Sequence, residues 1–207
     1  MSQFFQVHPD NPQIRLIKQA AQIIDSGGIV AVPTDSCYAL VCHLDDKGAV
    51  ERLRRIRGID EKHHLTLLCR DLSEIGVYAR LDNRQFRLLK SATPGPYTFI
   101  LEATKVVPRR LSHPSRKTIG LRVPENPIVL ALLEQLQQPL LGTTLIMPGE
   151  QDALNDADTI CERLGKQIEL VIDGGACSME PTTVIDLTGP DAELVRQGRG
   201  DAALFGL

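Results

Sequence analysis

Neither a Cys-x-x-Cys pair nor a metal-ligand spacing occurs in this sequence, and its five cysteines (Cys37, Cys42, Cys69, Cys161 and Cys177) make an odd number. Neither a disulfide framework nor a zinc site is implied, and reduced thiols in a cytoplasmic protein are expected. His63 and His64 are adjacent, so in an extended segment they point apart, and no third ligand lies near them in sequence; no metal site is expected. No apolar run approaches the ~20 residues of a membrane span, so no membrane partner is expected. The first residues, MSQFFQVHPD, lack the basic-then-apolar order of a secretory signal. The two common glycine-rich nucleotide cradles are missing too, which removes two routes to a nucleotide without removing nucleotides themselves. No linker, repeat, low-complexity tract or sequence-specific DNA-binding motif interrupts the chain.

What is present suits one globular domain. The 207 residues are 43% hydrophobic and 24% charged, enough for a single sizeable core. The net charge of −3 suggests no polyanion partner, but the charge is unevenly spread. Basic residues dominate from Arg52 to Arg122 and acidic ones after Glu125. Arg52, Arg54, Arg55, Lys62, Arg84, Arg87, Arg109 and Arg110 are therefore candidates for one positive, RNA-binding face, with arginine favoured where phosphates are held. Interspersed charge on a solvated surface gives the same composition.

Periodicity predicts a helix over 12–26 from Ile14, Ile17, Ala21 and Ile24, stopped by Gly27-Gly28. A buried strand over 29–32 is ended by Pro33, and a polar cluster follows: Thr34, Asp35, Ser36, Cys37 and Tyr38. At the carboxyl end of an α/β strand such a cluster is where ligands sit; an ordinary polar turn capped by Asp35 or Ser36 would look the same. Further helices are expected over 45–56, 71–78, 83–90, 127–136 and 152–164. Strands are expected over 65–69, 97–101, 118–123, 140–146, 169–172, 182–187 and 193–196. The alternation predicts an α/β class, a single-domain twisted open sheet, mixed or largely parallel, flanked by helices. Cys37 as a nucleophile beside His43 is a weaker possibility, with no sign of a lowered thiol pKa.

Several stretches, in order, resemble one family. Residues 28–40, GIVAVPTDSCYAL, are similar to the G-x-[IV]-x-x-x-P-T-[DE]-T-x-Y-G-L signature of the YrdC-like family, whose well-known members are L-threonylcarbamoyladenylate synthases. Pro94-Gly95-Pro96-Tyr97-Thr98 resembles its P-G-P-x-T, Gly120-Leu121-Arg122-Val123-Pro124 its G-x-R-x-P, residues 181–186 its S-T-V-x-D, and Arg196-Gln197-Gly198 its R-x-G. The likeness runs from about residue 12 to 200 and is strongest to the YciO branch.

The resemblance implies the family's fold, with a concave basic face, and its chemistry. L-threonine is carboxylated with bicarbonate and the adenylyl group of ATP is transferred to the product, releasing pyrophosphate. No intrinsic cofactor is implied; Mg²⁺ accompanies ATP. Matched residue to residue, Thr34, Ser36 and Tyr38 face a threonine-like substrate, while Arg57, Arg122, Thr144, Thr182 and Arg196 face nucleotide or phosphate. Two positions depart from the pattern. Against K-G-R-D the chain has Arg57-Gly58-Ile59-Asp60, and against T-S-A-N it has Thr143-Thr144-Leu145-Ile146. Losing two polar contacts at ~1.5–3 kcal/mol each would cost roughly two to four orders of magnitude in rate. The expected function is therefore RNA or nucleotide binding on this fold, with double-stranded RNA, tRNA or rRNA as partner. The alternative is a threonylcarbamoyl-AMP synthase of low activity in tRNA modification, using ATP and L-threonine.

Overall fold

A computed structural model describes residues 1–207. Six α-helices form where apolar spacing and end caps agree. α1 (Ile14–Asp25) buries Ile17, Ala20, Ala21 and Ile24 along one stripe; Ile14, expected in that stripe, is exposed and Ala20 takes its place. In α2 (Lys47–Arg57) the Asp46 carboxylate accepts the Ala49 N–H at 2.9 Å, and Gly58, at φ 63°, closes the other end. α3 (Leu72–Tyr78) is capped by Asp71, and α4 (Asn83–Ala92) by a reciprocal Asp82–Gln85 box. α5 (Pro127–Leu136) starts on Asn126 with proline at its first turn. α6 (Ala157–Leu164) begins later than the expected residue 152. Asp156 is the residue whose carboxylate accepts the Thr159 N–H, at 2.8 Å, and Ala153 is held in a bridge to Ile146.

The strands are β1 (Gln3–Gln6), β2 (Val30–Val32), β3 (Ala39–His43), β4 (Thr66–Leu68) and β5 (Tyr97–Glu102), then β6 (Thr118–Arg122), β7 (Leu140–Thr144), β8 (Leu170–Asp173), β9 (Thr183–Asp186) and β10 (Glu193–Arg196). They join in one mixed sheet in the order β1-β8-β2-β3-β7-β4-β6-β5-β9-β10. β1 and β3 are absent from the expected elements. β1 lies outside residues 12–200, yet it pairs in parallel with β8 along its full length. A single-domain α/β fold of ten strands and six helices results.

Alternation along the strands sorts side chains between two faces. One face sends Tyr38, Leu40, Leu67, Phe99, Leu121, Leu141 and Ile185 into the main core, covered by α2, α3, α4 and α6. On the other face α1 and α5 cover only part of the sheet, burying Val30, Val32, Val41, Leu140, Leu170 and Ile172 beneath Ile17, Ile24, Ile128 and Leu132. Across β7, β4, β6 and β5 that face carries Gly142, Thr66, Gly120 and Ile100 in one register row. Two of these four have no side chain. A Cβ at Gly142 would come within 2.9 Å of Leu68, and one at Gly120 within 3.1 Å of Thr66. The uncovered half of the sheet is thus a hollow rather than a second helix-packing surface.

Candidate ligand-binding site

The hollow is a cavity of about 270 Å³, open to solvent, close to the lower end of small-molecule sites. Its floor is the row just described. Thr34, Ser36 and Cys37 wall it at the β2–β3 turn, Thr143 and Thr144 at the end of β7, Lys62, His63 and His64 in the loop before β4, and Thr182 and Arg196 beside β9 and β10. No carboxylate lines it.

Thr34 and Ser36 are buried and bonded to each other. The Thr34 hydroxyl donates to the Cys37 carbonyl at 2.6 Å and accepts the Ser36 N–H at 3.1 Å. Its proton being used, the 3.1 Å contact between the two hydroxyls must have Ser36 as donor. Arg122 then donates to the Ser36 Oγ at 3.2 Å and pairs with the Asp35 carboxylate. Thr34 is saturated in this state, and Ser36 keeps one acceptor position toward the cavity. Across the hollow, Thr98 and Thr182 share a 2.9 Å hydrogen bond, and Arg196 donates to the Thr182 carbonyl at 2.9 Å and hydroxyl at 3.4 Å. Arg57 is buried, at 8% exposure, with neither a salt bridge nor a side-chain hydrogen bond, and its Nε has no partner. Burial alone lowers its pKa.

Of the eight residues expected to face substrate or phosphate, Thr34, Ser36, Arg122, Thr144, Thr182 and Arg196 line the cavity. Tyr38 does not. It is fully buried in the main core, and its hydroxyl donates to the Gly175 carbonyl at 3.0 Å. Arg57 is not in the wall either, but its charge acts on His63, which is. Ile59 packs partly buried against the main core, and Ile146 bridges to Ala153; neither reaches the cavity. Burial pushes the Cys37 thiol up to about 11, and His43 is bonded to Gln138, so a Cys37 thiolate at neutral pH is disfavoured.

The proposed basic face is not one patch. Arg52 pairs with Glu169 at 2.6 Å beside β8, and Arg84 with Asp191 at 3.7 Å beside β10, at opposite ends of the sheet order. Arg54 is tied to the Asp60 carbonyl, Arg110 to the Leu44 and Asp45 carbonyls, and Arg87 to its own helix at Asn83. Lys62, Arg55 and Arg109 have no acidic partner, and of the eight only Lys62 lines the cavity.

His63 and His64 belong to the charged 57–64 connection that the sequence marks as a plausible phosphate-facing loop, whereas Thr66 and Gly142 are among the cavity residues that sequence reasoning missed. Thr66 stands out as a hydroxyl in an apolar strand, a signal available in the sequence. No group of three His, Cys, Asp or Glu side chains converges anywhere to hold a metal ion. The donor set does not fit a protein-bound Mg²⁺: a divalent ion here would rest on phosphate oxygens and water.

Residues 22–198 match the family model Sua5/yciO/yrdC, described as Telomere recombination. The chain is 55% identical to the uncharacterized protein YciO of Escherichia coli K12 over 205 residues, covering 99% of this chain and 100% of that one. The crystal structure of E. coli YciO superposes with a TM-score of 0.97 over the same shares. P. abyssi Sua5 complexed with L-threonine is 29% identical with a TM-score of 0.87, covering 94% of this chain and 57% of that one. No helix is long and apolar enough to cross a membrane.

Proposed function

The chain belongs to the Sua5/YciO/YrdC family, and from that membership and the cavity we propose that it binds a nucleotide together with a threonine-like amino acid on the uncovered half of its sheet. The observation that carries this reading is the charge balance. Lys62 and Arg196 line the cavity without an acidic partner, Arg122 lines it already paired with Asp35, and no carboxylate stands in the wall; Arg57, outside the wall, adds a guanidinium without a counter-ion. A cavity with uncompensated cations suits phosphate, since charge-assisted hydrogen bonds to guanidinium are the strong ones. The amino-acid part rests on the hydroxyl wall at Thr34, Ser36, Thr98 and Thr182, and on the L-threonine complex of a relative with the same fold.

Turnover to an acyl-adenylate would need these residues to position the reactants and neutralise charge developing on phosphate oxygens. Arg57, Arg122 and Arg196 remain for that task, while Ile59 and Ile146 stand outside the cavity as apolar side chains. Binding with slow turnover is the outcome we draw. Calorimetric titration with ATP, with and without L-threonine, tests it: ATP should bind, and more tightly once threonine is present. No binding of either compound at millimolar concentration would overturn the reading.

RNA is the second reading, favoured by Lys62, Arg55 and Arg109, exposed cations without acidic partners. RNA held by these three would be bound through its phosphates and released by salt.

A further inference from the structure

His63 sits in the loop between α2 and β4, and that loop is built to hold it. The Asp60 carboxylate accepts the N–H groups of Lys62 at 2.9 Å and His63 at 3.1 Å. From α2, Arg54 donates to the Asp60 carbonyl and reaches the His63 carbonyl at 3.5 Å. The backbone is therefore fastened on both sides while the imidazole lines the cavity and makes no hydrogen bond to the protein. The charged groups acting on it are Arg54 and Arg57 of α2, Arg196 of β10 and, from its own loop, Asp60. Three cations face one anion. His63 is itself exposed, and partial desolvation at the cavity together with those guanidinium groups holds it below its ordinary pKa, which favours the neutral imidazole in the free protein.

Its neighbour has a different role. His64 shares a 2.9 Å hydrogen bond with Thr118, and its ring stacks on His113 with centroids 5.0 Å apart. His64 is bonded in place; His63 has both ring nitrogens free for a ligand.

We propose that His63 is a ligand-contacting residue of the cavity, one that takes up a proton from solvent as a phosphate-bearing ligand enters, so that binding is linked to pH. This rests on the nucleotide reading above. The physical cause is reversal of the local field. An anion bound in the cavity beside Arg196 offsets the repulsion from Arg54, Arg57 and Arg196 that favours the neutral imidazole, and offers it an acceptor. The sign follows from linkage. The complex binds more protons than the free protein, so affinity rises as pH falls through the liganded pKa of His63 and levels off below its free pKa.

The test uses ATP as probe and the full chain. Proton NMR of the histidine rings across pH, with and without ATP, reads each imidazole directly, and His63→Gln identifies the His63 signal by its loss. His63 should titrate about one pH unit higher with ATP bound, which is roughly a 10-fold change in affinity across the titration. Protonation of ATP itself is common to both proteins, so the ratio of wild-type to H63Q affinity isolates the histidine. That ratio should rise as pH falls from about 8 and level off, at about 10-fold, once the pH is below the free pKa of His63. ATP binding with an unmoved His63 titration and a flat ratio would overturn this inference and leave the nucleotide reading standing. Failure of ATP to bind at all would overturn both.

Discussion

Replacing Arg122 with methionine should lower the free energy of unfolding by about 3–5 kcal/mol, because it leaves a buried carboxylate without its counter-ion. The Arg122 and Asp35 side chains are only 7% and 10% exposed, and they face each other from β6 and the β2–β3 turn. The pair is also under-satisfied: Asp35 Oδ2 and Arg122 Nε have no partner. Such a pair adds little net stability over apolar residues of similar shape, yet breaking it from one side exposes the full desolvation cost of the other. The double variant Asp35→Asn with Arg122→Met should therefore recover most of the loss. Urea unfolding of the three proteins measures it. A loss below about 1 kcal/mol in the single variant would mean that Asp35 reaches water and that the turn is not locked as described.

Arg57→Met should move stability and ligand binding in opposite directions. Arg57 ends α2 with its side chain mostly buried, its Nε buried without a partner and no acidic group paired with it. A desolvated, uncompensated charge is destabilising, so methionine, similar in length and apolar, should raise stability by about 1–3 kcal/mol. If that charge is kept to meet phosphate, losing one charge-assisted interaction of about 1.5–3 kcal/mol should weaken ATP binding at least ~10-fold. Thermal unfolding and calorimetry on the same preparation read the two effects. Destabilisation would instead make Arg57 a structural residue.

Local features of this chain were legible and long-range ones were not. α5 is placed to the residue by Asn126-Pro127, and α2, over Lys47–Arg57, lies within two residues of the expected 45–56. β3 escaped because Ala39–His43 follows β2 after only six residues, with no recognisable hairpin turn between them to announce a second strand. Missing β3 also misplaced Tyr38. It alternates with Leu40 and Cys42 on the core face, while Ala39 lines the cavity. The hollow itself depends on how far α1 and α5 extend over the sheet, which the strand order decides and no single stretch encodes. Arg52 and Glu169, 117 residues apart, show why the basic residues could not be assigned to one face: pairing at that separation is a product of the fold.

The central claim is one of place, that the ligand lies on the uncovered half of the sheet between the β2–β3 turn and β10. Amide chemical-shift mapping of the isotope-labelled protein with ATP, and separately with a short RNA duplex, tests it most directly. With ATP the account predicts shifts concentrated at Ser36, His63, Thr66, Gly120, Thr144 and Arg196, with Arg52 and Arg84 unmoved. Shifts confined to Arg55 and Arg109 with RNA, and none in the cavity with ATP, would contradict it.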